Sequence, residues 1–316
     1  MPCLHIQSAL LCNLVFLIIT YLVAGNPENL EYVRTLRGPP ELHVKRDPLT
    51  NTTDALVTMD IVGGRDTLAN MYRYYVKGLL CGASLIWHDV ILSAGHCLDR
   101  LQDNTQGGVL VGAVIPNSTA YGAQWRNIVK QVRHPLYRPK TMHYDMMVAK
   151  LESPVTNPVL QPVPLNRDMR VPTRSSKMVT VGMGRTSLKG PVSTHLLQIP
   201  VRFLRDNTCR RMNGRGYSLF HQTMFCTKIK NGRSICGGDS GSPLLLNGVQ
   251  IGLTSWSYGC GNPKWPNVFC RVAGGIDWIS EQICLLSSNP PEYCANATIV
   301  PGVKNIDSTA SPTSET

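Results

Sequence analysis

At 316 residues the chain exceeds one average domain, yet all-β double barrels commonly use about 200 to 250 residues as a single unit, so one domain with flanking segments accounts for the length. Lys and Arg number 31 against 20 Asp and Glu, a formal charge of +11 that suits acidic glycans or acidic substrates. No stripe of interleaved basic and aromatic residues marks a nucleic-acid groove, and a solvated basic surface is the plainer account. Leu10 to Val23 form an apolar run broken by Asn13 and closed by Val23-Ala24-Gly25, small residues that a signal peptidase accepts, so residues 1–25 read as a signal peptide. That run is shorter than the roughly 20 residues that span a bilayer, which argues for a secreted, extracellular protein without a membrane anchor.

Residues 26–60 are polar, contain Gly38-Pro39-Pro40 and show no period of 2 or 3.6, the pattern of an extended pro-segment. From Ile61 onward short apolar runs recur between turn signals. Ala83–Trp87, Val109–Gly112, Met178–Val181, Leu244–Leu246 and the alternating Val249–Leu253 predict strands of an all-β barrel. Ile276, Ile279 and Ile283, spaced by three and four, predict one amphipathic helix closing a domain over 61–286. Residues 287–316, rich in Ser, Thr, Pro and Asn, predict a flexible tail. Removing Cys3 and Cys12 with the signal peptide leaves cysteines that an oxidising compartment should mostly bridge. Acceptor triplets for N-glycosylation at Asn51, Asn117 and Asn296 fit the same route. No His-Glu-X-X-His zinc motif occurs and no carboxylate cluster follows Cys97, so no cofactor or metal is expected.

Three motifs carry chemistry: His96 inside Leu92-Ser93-Ala94-Gly95-His96-Cys97, Asp145 opening Asp145-Met146-Met147-Val148, and Ser240 inside Gly237-Gly238-Asp239-Ser240-Gly241-Ser242-Pro243. A serine hydroxyl is a poor nucleophile until an imidazole takes its proton, and a carboxylate orients that imidazole, so the three types together suit acyl transfer. With Ile61-Val62-Gly63-Gly64 ahead and Ser255-Trp256 and Trp278 behind, the chain resembles the chymotrypsin-like serine peptidases across the whole of the 61–286 domain.

The resemblance implies two six-stranded Greek-key β-barrels with a C-terminal helix. It implies that His96 is general base, Asp145 its orienting carboxylate and Ser240 the nucleophile, with an oxyanion hole from the backbone N–H groups of Gly238 and Ser240. Ser255, Trp256 and Ser257 would pair with the backbone of a polypeptide substrate, and Ser255 would help hold Asp145. The implied disulfides are Cys81 with Cys97, Cys209 with Cys226, and Cys236 with Cys260. A zymogen would be cut before Ile61 by another protease, so that the new ammonium pairs with Asp239; protein inhibitors are further expected partners.

Several positions depart from the family pattern. Ser234 stands where an Asp selects Lys or Arg, and Ser257 and Asn267 stand where glycines usually leave the specificity pocket open. The expected preference is for small or modest uncharged side chains, with aromatic ones next; a narrowed pocket equally suits a catalytically silent homologue that binds a partner protein. Asp60 precedes Ile61 where a trypsin-like activator needs Lys or Arg, so either another class of protease cuts there or the chain stays a zymogen; cutting at Lys45-Arg46 would leave extra residues ahead of Ile61. Gly95 replaces a common Ala, Ser242 a common Gly and Met183 a common Trp. Of Cys270, Cys284 and Cys294, the last two suit a local bridge with Cys270 a buried thiol, and an intermolecular bridge through Cys294 is the alternative.

Overall fold

A computed structural model of the protein describes residues 64–68, 70–211, 220–229 and 232–296. The expected signal peptide, the pro-segment, Asn51, Asp60, Ile61 and the sequence beyond residue 296 lie outside these, as does the side chain of Asn296.

The described chain is built on two sheets. In the C-terminal half, β9 (Lys177–Gly182), β10 (Leu197–Leu204), β11 (Met224–Lys228), β12 (Pro243–Leu246), β13 (Val249–Trp256) and β14 (Asn267–Arg271) run in the order β10-β11-β14-β13-β12-β9. Because β9 also pairs with β10, through Leu197 opposite Gly182 to Arg202 opposite Lys177, the sheet closes into a six-stranded barrel. The short strand β1 (Arg65–Asp66) adds to the outside of β10.

The N-terminal half contains β2 (Tyr75–Lys77), β3 (Gly82–Trp87), β4 (Val90–Ser93), β5 (Val109–Val111), β6 (Gln124–Arg126), β7 (Ile128–Arg133) and β8 (Met147–Leu151), in the order β6-β5-β2-β3-β4-β8-β7. Its two outer strands, β6 and β7, are consecutive in the chain and separated only by Asn127. They are the halves of one bent strand, pairing with β5 on one side and β8 on the other, so this sheet curls toward closure. Asn127 donates from its backbone to Glu152 Oε1 at 3.1 Å, a bond spent outside the ladder at the bend.

Alternation along the strands explains where their side chains go. On β10, Leu197, Ile199 and Val201 are buried while Pro200 and Arg202 are exposed. Val76, Leu85, Ile91, Leu101 and Met147 make a core of the N-terminal half, and Ile199, Phe225, Ile251 and Phe269 one of the C-terminal half. A third cluster draws Tyr75, Leu92, Val148, Val181, Leu253 and Ile279 from both halves. Each such side chain fully withdrawn from water contributes roughly 1.5 to 3 kcal/mol. Buried Ser84, on β3, donates to Gln250 Oε1, on β13, at 2.7 Å, and Gly82 N donates to Ser240 O at 2.8 Å, so polar bonds also join the halves.

Three α-helices are among the described residues: α1 (Asp206–Arg211), α2 (Ile276–Leu286) and α3 (Tyr293–Asn296). In α2 the residues Ile276, Ile279 and Ile283 face inward, as their spacing predicts. The disulfides Cys81–Cys97, Cys209–Cys226, Cys236–Cys260 and Cys284–Cys294 are formed, and Cys270 is a buried free thiol.

The segment after α2, expected to open a flexible tail, is instead fastened at its start. Ser287 Oγ and Ser288 N each donate to the Asp89 carboxylate at 2.8 Å, and Trp87 Nε1 donates to Asn289 O at 2.8 Å. Asp89 is buried and also pairs with Lys150. A buried carboxylate requires such donors, and this segment supplies two of them. Among the described residues, no helix is long and apolar enough to cross a membrane.

Candidate active site

His96 sits on a single 3-10 turn, Gly95–Cys97, that follows β4, and Cys97 ties this turn to Cys81 at the start of β3. Asp145, fully buried, lies just ahead of β8, which pairs with β4, so the sheet itself brings the two residues together. Asp145 Oδ2 lies 2.9 Å from His96 Nδ1 and accepts from Ser255 Oγ at 2.6 Å, while Oδ1 accepts from the backbone N–H of His96 at 2.9 Å. A carboxylate that receives three bonds holds the ring in one orientation, with the Nδ1 proton directed at Asp145 and Nε2 left as the acceptor.

Gly95 has a local reason. A Cβ there would come within 3.1 Å of the backbone N and O of Met146 and 3.2 Å of the Tyr137 ring, closer than most real contacts. The His96 turn is thus packed directly against the segment leading into β8, which carries Asp145.

Ser240 lies in the turn between Cys236 and β12. The turn is pinned by Gly241 N to Thr254 O at 2.8 Å and by the bond from Gly82 N to Ser240 O. Gly238 takes φ +99°, a conformation that side chains rarely adopt, which fits the departure from the common pattern sparing this position. Ser242 is fully buried, and its hydroxymethyl occupies space that exists because Gly82 has no side chain: a Cβ at Gly82 would lie 2.2 Å from Ser242 Oγ.

Asp239 is buried and accepts from Gly184 N at 2.8 Å and Cys236 N at 2.9 Å. Burial nevertheless raises its pKa from 3.8 to about 7, the two backbone donors offsetting only part of that cost. In neighbouring Tyr75, desolvation first and the Asp239 charge second push the hydroxyl pKa up. Ile61, the expected partner of Asp239, falls outside the described residues.

A cleft of about 310 Å³ opens beside Ser240, lined by Leu188, Ile235, Cys236, Gly237, Thr254, Ser255, Trp256, Ser257, Gly259 and Cys260. The structure therefore groups Ser240, Ser255, Trp256 and Ser257 around one cleft, and the Cys236–Cys260 disulfide joins two of its walls. Ser234 and Asn267 are not on its lining. Both are fully buried and bonded to one another, Ser234 Oγ to Asn267 Oδ1 at 2.8 Å, with Ile235 on the cleft side. Leu188, 66% exposed at the cleft, carried no signal in the sequence, because a lone Leu in a Ser- and Gly-containing loop shows no period.

Cys81, His96 and Cys97 bring potential ligand atoms close together, but both sulfurs are committed to one disulfide, which leaves no thiolate for a metal.

Comparison with known proteins agrees with this geometry. The family model described as Trypsin matches residues 61–279. Rat cationic trypsin-3 is 32% identical over 231 residues, covering 71% of this chain and 89% of the relative, and pig trypsin is 31% identical over 231 residues, covering 71% and 95%. Rat transmembrane protease serine 9 is 33% identical over 210 residues, 64% of this chain but 19% of that protein. Mouse serine protease 56 is 30% identical over 276 residues, 82% of this chain and 44% of that protein, so the chain spans less than half the length of these two relatives. A closed barrel joined to a second curled sheet, a C-terminal helix and this sequence match together show that the chain belongs to the trypsin family.

Proposed function

We propose that the protein is an active endopeptidase working through His96, Asp145 and Ser240, secreted and made as a zymogen. His96 Nε2 takes the Ser240 hydroxyl proton as Oγ forms a bond to the scissile carbonyl carbon. The carbonyl π electrons move to oxygen, and the N–H groups of Gly238 and Ser240 receive that charge. The imidazolium then gives its proton to the departing amine as the C–N bond breaks, leaving an acyl-enzyme. Water, deprotonated by the same ring, attacks the acyl carbon and releases Ser240. The observation that carries this reading is the buried Asp145 carboxylate, which accepts from His96 Nδ1, His96 N and Ser255 Oγ and so fixes the tautomer the first step requires.

The substrate backbone runs along Ser255, Trp256 and Ser257, and the cleft beside them takes a small or modest uncharged side chain. Ser257 narrows it, and Ser234 puts no carboxylate beneath it for Lys or Arg. Activation is a cut between Asp60 and Ile61 by a protease that accepts Asp, after which the Ile61 ammonium pairs with Asp239 and offsets its burial.

The test is labelling by a fluorophosphonate probe before and after a controlled cut at Asp60-Ile61, with Ser240→Ala as control. Labelling only after the cut, and lost in the variant, is the expected result. A correctly cut, folded protein that takes no label would overturn the proposal in favour of a silent homologue that binds a partner protein. A peptide library cleaved mainly after Lys or Arg would overturn the specificity.

A further inference from the structure

The outer face of the C-terminal barrel carries a feature that peptide hydrolysis does not use. Arg202 on β10 stands directly opposite Lys177 on β9 and directly opposite Lys228 on β11. All three are exposed, while Met178, Val201 and Thr227 beside them are buried, so the three cations share one face. With neighbouring strands roughly 4.8 Å apart, they form a row about 10 Å long. Like charges directly opposite destabilise a sheet, and here the arrangement occurs twice in succession.

Beyond the row, from Phe203, the residue after Arg202, a separate cavity of about 420 Å³ is formed by the end of β10, helix α1 and the 169–172 loop. Its lining includes Arg170, Phe203, Arg205, Asp206, Arg211 and Arg271, and shares no residue with the cleft at Ser240. Asp168 occupies Arg170, with bonds at 2.9 to 3.1 Å, and buried Arg271 faces Asp206 at 3.6 Å while bonding backbone carbonyls of the 169–171 segment. Arg205 and Arg211 are left over. With Lys177, Arg202 and Lys228 they have no carboxylate partner among the described residues.

We propose that this face is an exosite for a sulfated polysaccharide, the row engaging successive sulfates and the cavity one more through Arg205 and Arg211. Strand β10 is paired on both sides at Arg202, and the far sides of β9 and β11 are paired up to Met178 and Thr227, one residue short of the row, which leaves no open edge long enough for a peptide to add a strand. Among the described residues the one aromatic lining the cavity, Phe203, is half-buried and offers no open platform for stacking nucleic-acid bases. What remains is recognition by charge alone, suited to a linear polymer of permanent anions, and the four disulfides are those of an oxidising, extracellular compartment where such polymers occur.

The experiment measures binding of the full uncut chain to a heparin-derived octasaccharide across a salt series. The variant Lys177→Ala/Arg202→Ala/Lys228→Ala should weaken binding about tenfold or more and lower the slope of log Kd against log salt by roughly one per cation removed. Its thermal midpoint should hold or rise, because the opposed charges are gone. Arg205→Glu/Arg211→Glu, exposed residues just ahead of α1 and at its last position, should weaken binding as well and provides a second route if the triple variant fails to fold. No binding, an equal loss in Lys130→Ala/Arg138→Ala/Lys140→Ala on the N-terminal half, or equal affinity for polyglutamate or duplex DNA would each overturn the exosite. Fluorophosphonate labelling of the cut triple variant should match that of the cut parent. Binding without labelling would remove the peptidase reading and leave the exosite, and labelling without binding would do the reverse.

Discussion

Asp239 is the residue on which pH should act most visibly. Its folded pKa, about 7, exceeds its ordinary 3.8, so the folded state holds a proton that the unfolded chain releases. Its contribution is greatest below about pH 4 and is lost as pH rises through about 7. Urea midpoints of the uncut protein should therefore fall over that interval, and Asp239→Asn should flatten the decline. After a cut that frees Ile61, the same decline should shrink, because the ammonium favours the carboxylate. Ser255 offers a kinetic counterpart. Ser255→Ala removes one of three donors from buried Asp145, and a hydrogen bond to a charged group contributes about 1.5 to 3 kcal/mol, so kcat should drop about tenfold to a hundredfold. KM should change little, and a change confined to KM would contradict a positioning role. These residues were legible in the sequence because short motifs surround them. Ser234 and Asn267 were legible as types but not in location: their mutual bond, across 33 positions, withdraws them behind Ile235.

At the scale of elements, periodicity found what local sequence determines. The alternating Val249–Leu253 run became β13 and the Ile276, Ile279, Ile283 spacing became α2. The bend at Asn127 and the fastening of Ser287 and Ser288 to Asp89 escaped, since each depends on a partner far away in the chain, 199 positions away for Ser288. Burial pushes the Asp89 carboxyl up, but Lys150, Ser288 and Ser287 outweigh it and hold the pKa below its ordinary value. Stability from Asp89 is therefore present above the unfolded pKa and lost as pH falls through the lower folded one. Asp89→Ala should cost about 3 to 5 kcal/mol, because Lys150 loses its buried partner, and should expose the Ser288 amide to faster hydrogen exchange. An unchanged midpoint with unchanged exchange would show that the fastening contributes nothing.

At the scale of the molecule, the two halves share a core as large as those within them, from Tyr75 and Leu92 on one side to Val181 and Leu253 on the other. Neither half can withdraw without exposing that cluster and leaving buried Ser84 and Gln250 apart. Calorimetry of the disulfide-intact protein should show one transition, with calorimetric and van't Hoff enthalpies equal. Two separated transitions would mean that the barrels unfold independently. The double-barrel plan was foreseen from resemblance, while the shared core was not, since a residue buried between halves has the same composition as one buried within either.

The Cys284–Cys294 bridge closes the end of the described chain into a small ring over α2 and the fastened segment. An exopeptidase trimming inward from the C-terminus can remove the residues beyond this ring, but on reaching Cys294 it meets a residue that stays attached through sulfur even when its peptide bond is cut. The two sheets and the helix packed on them are thereby kept intact against trimming that stops at the ring.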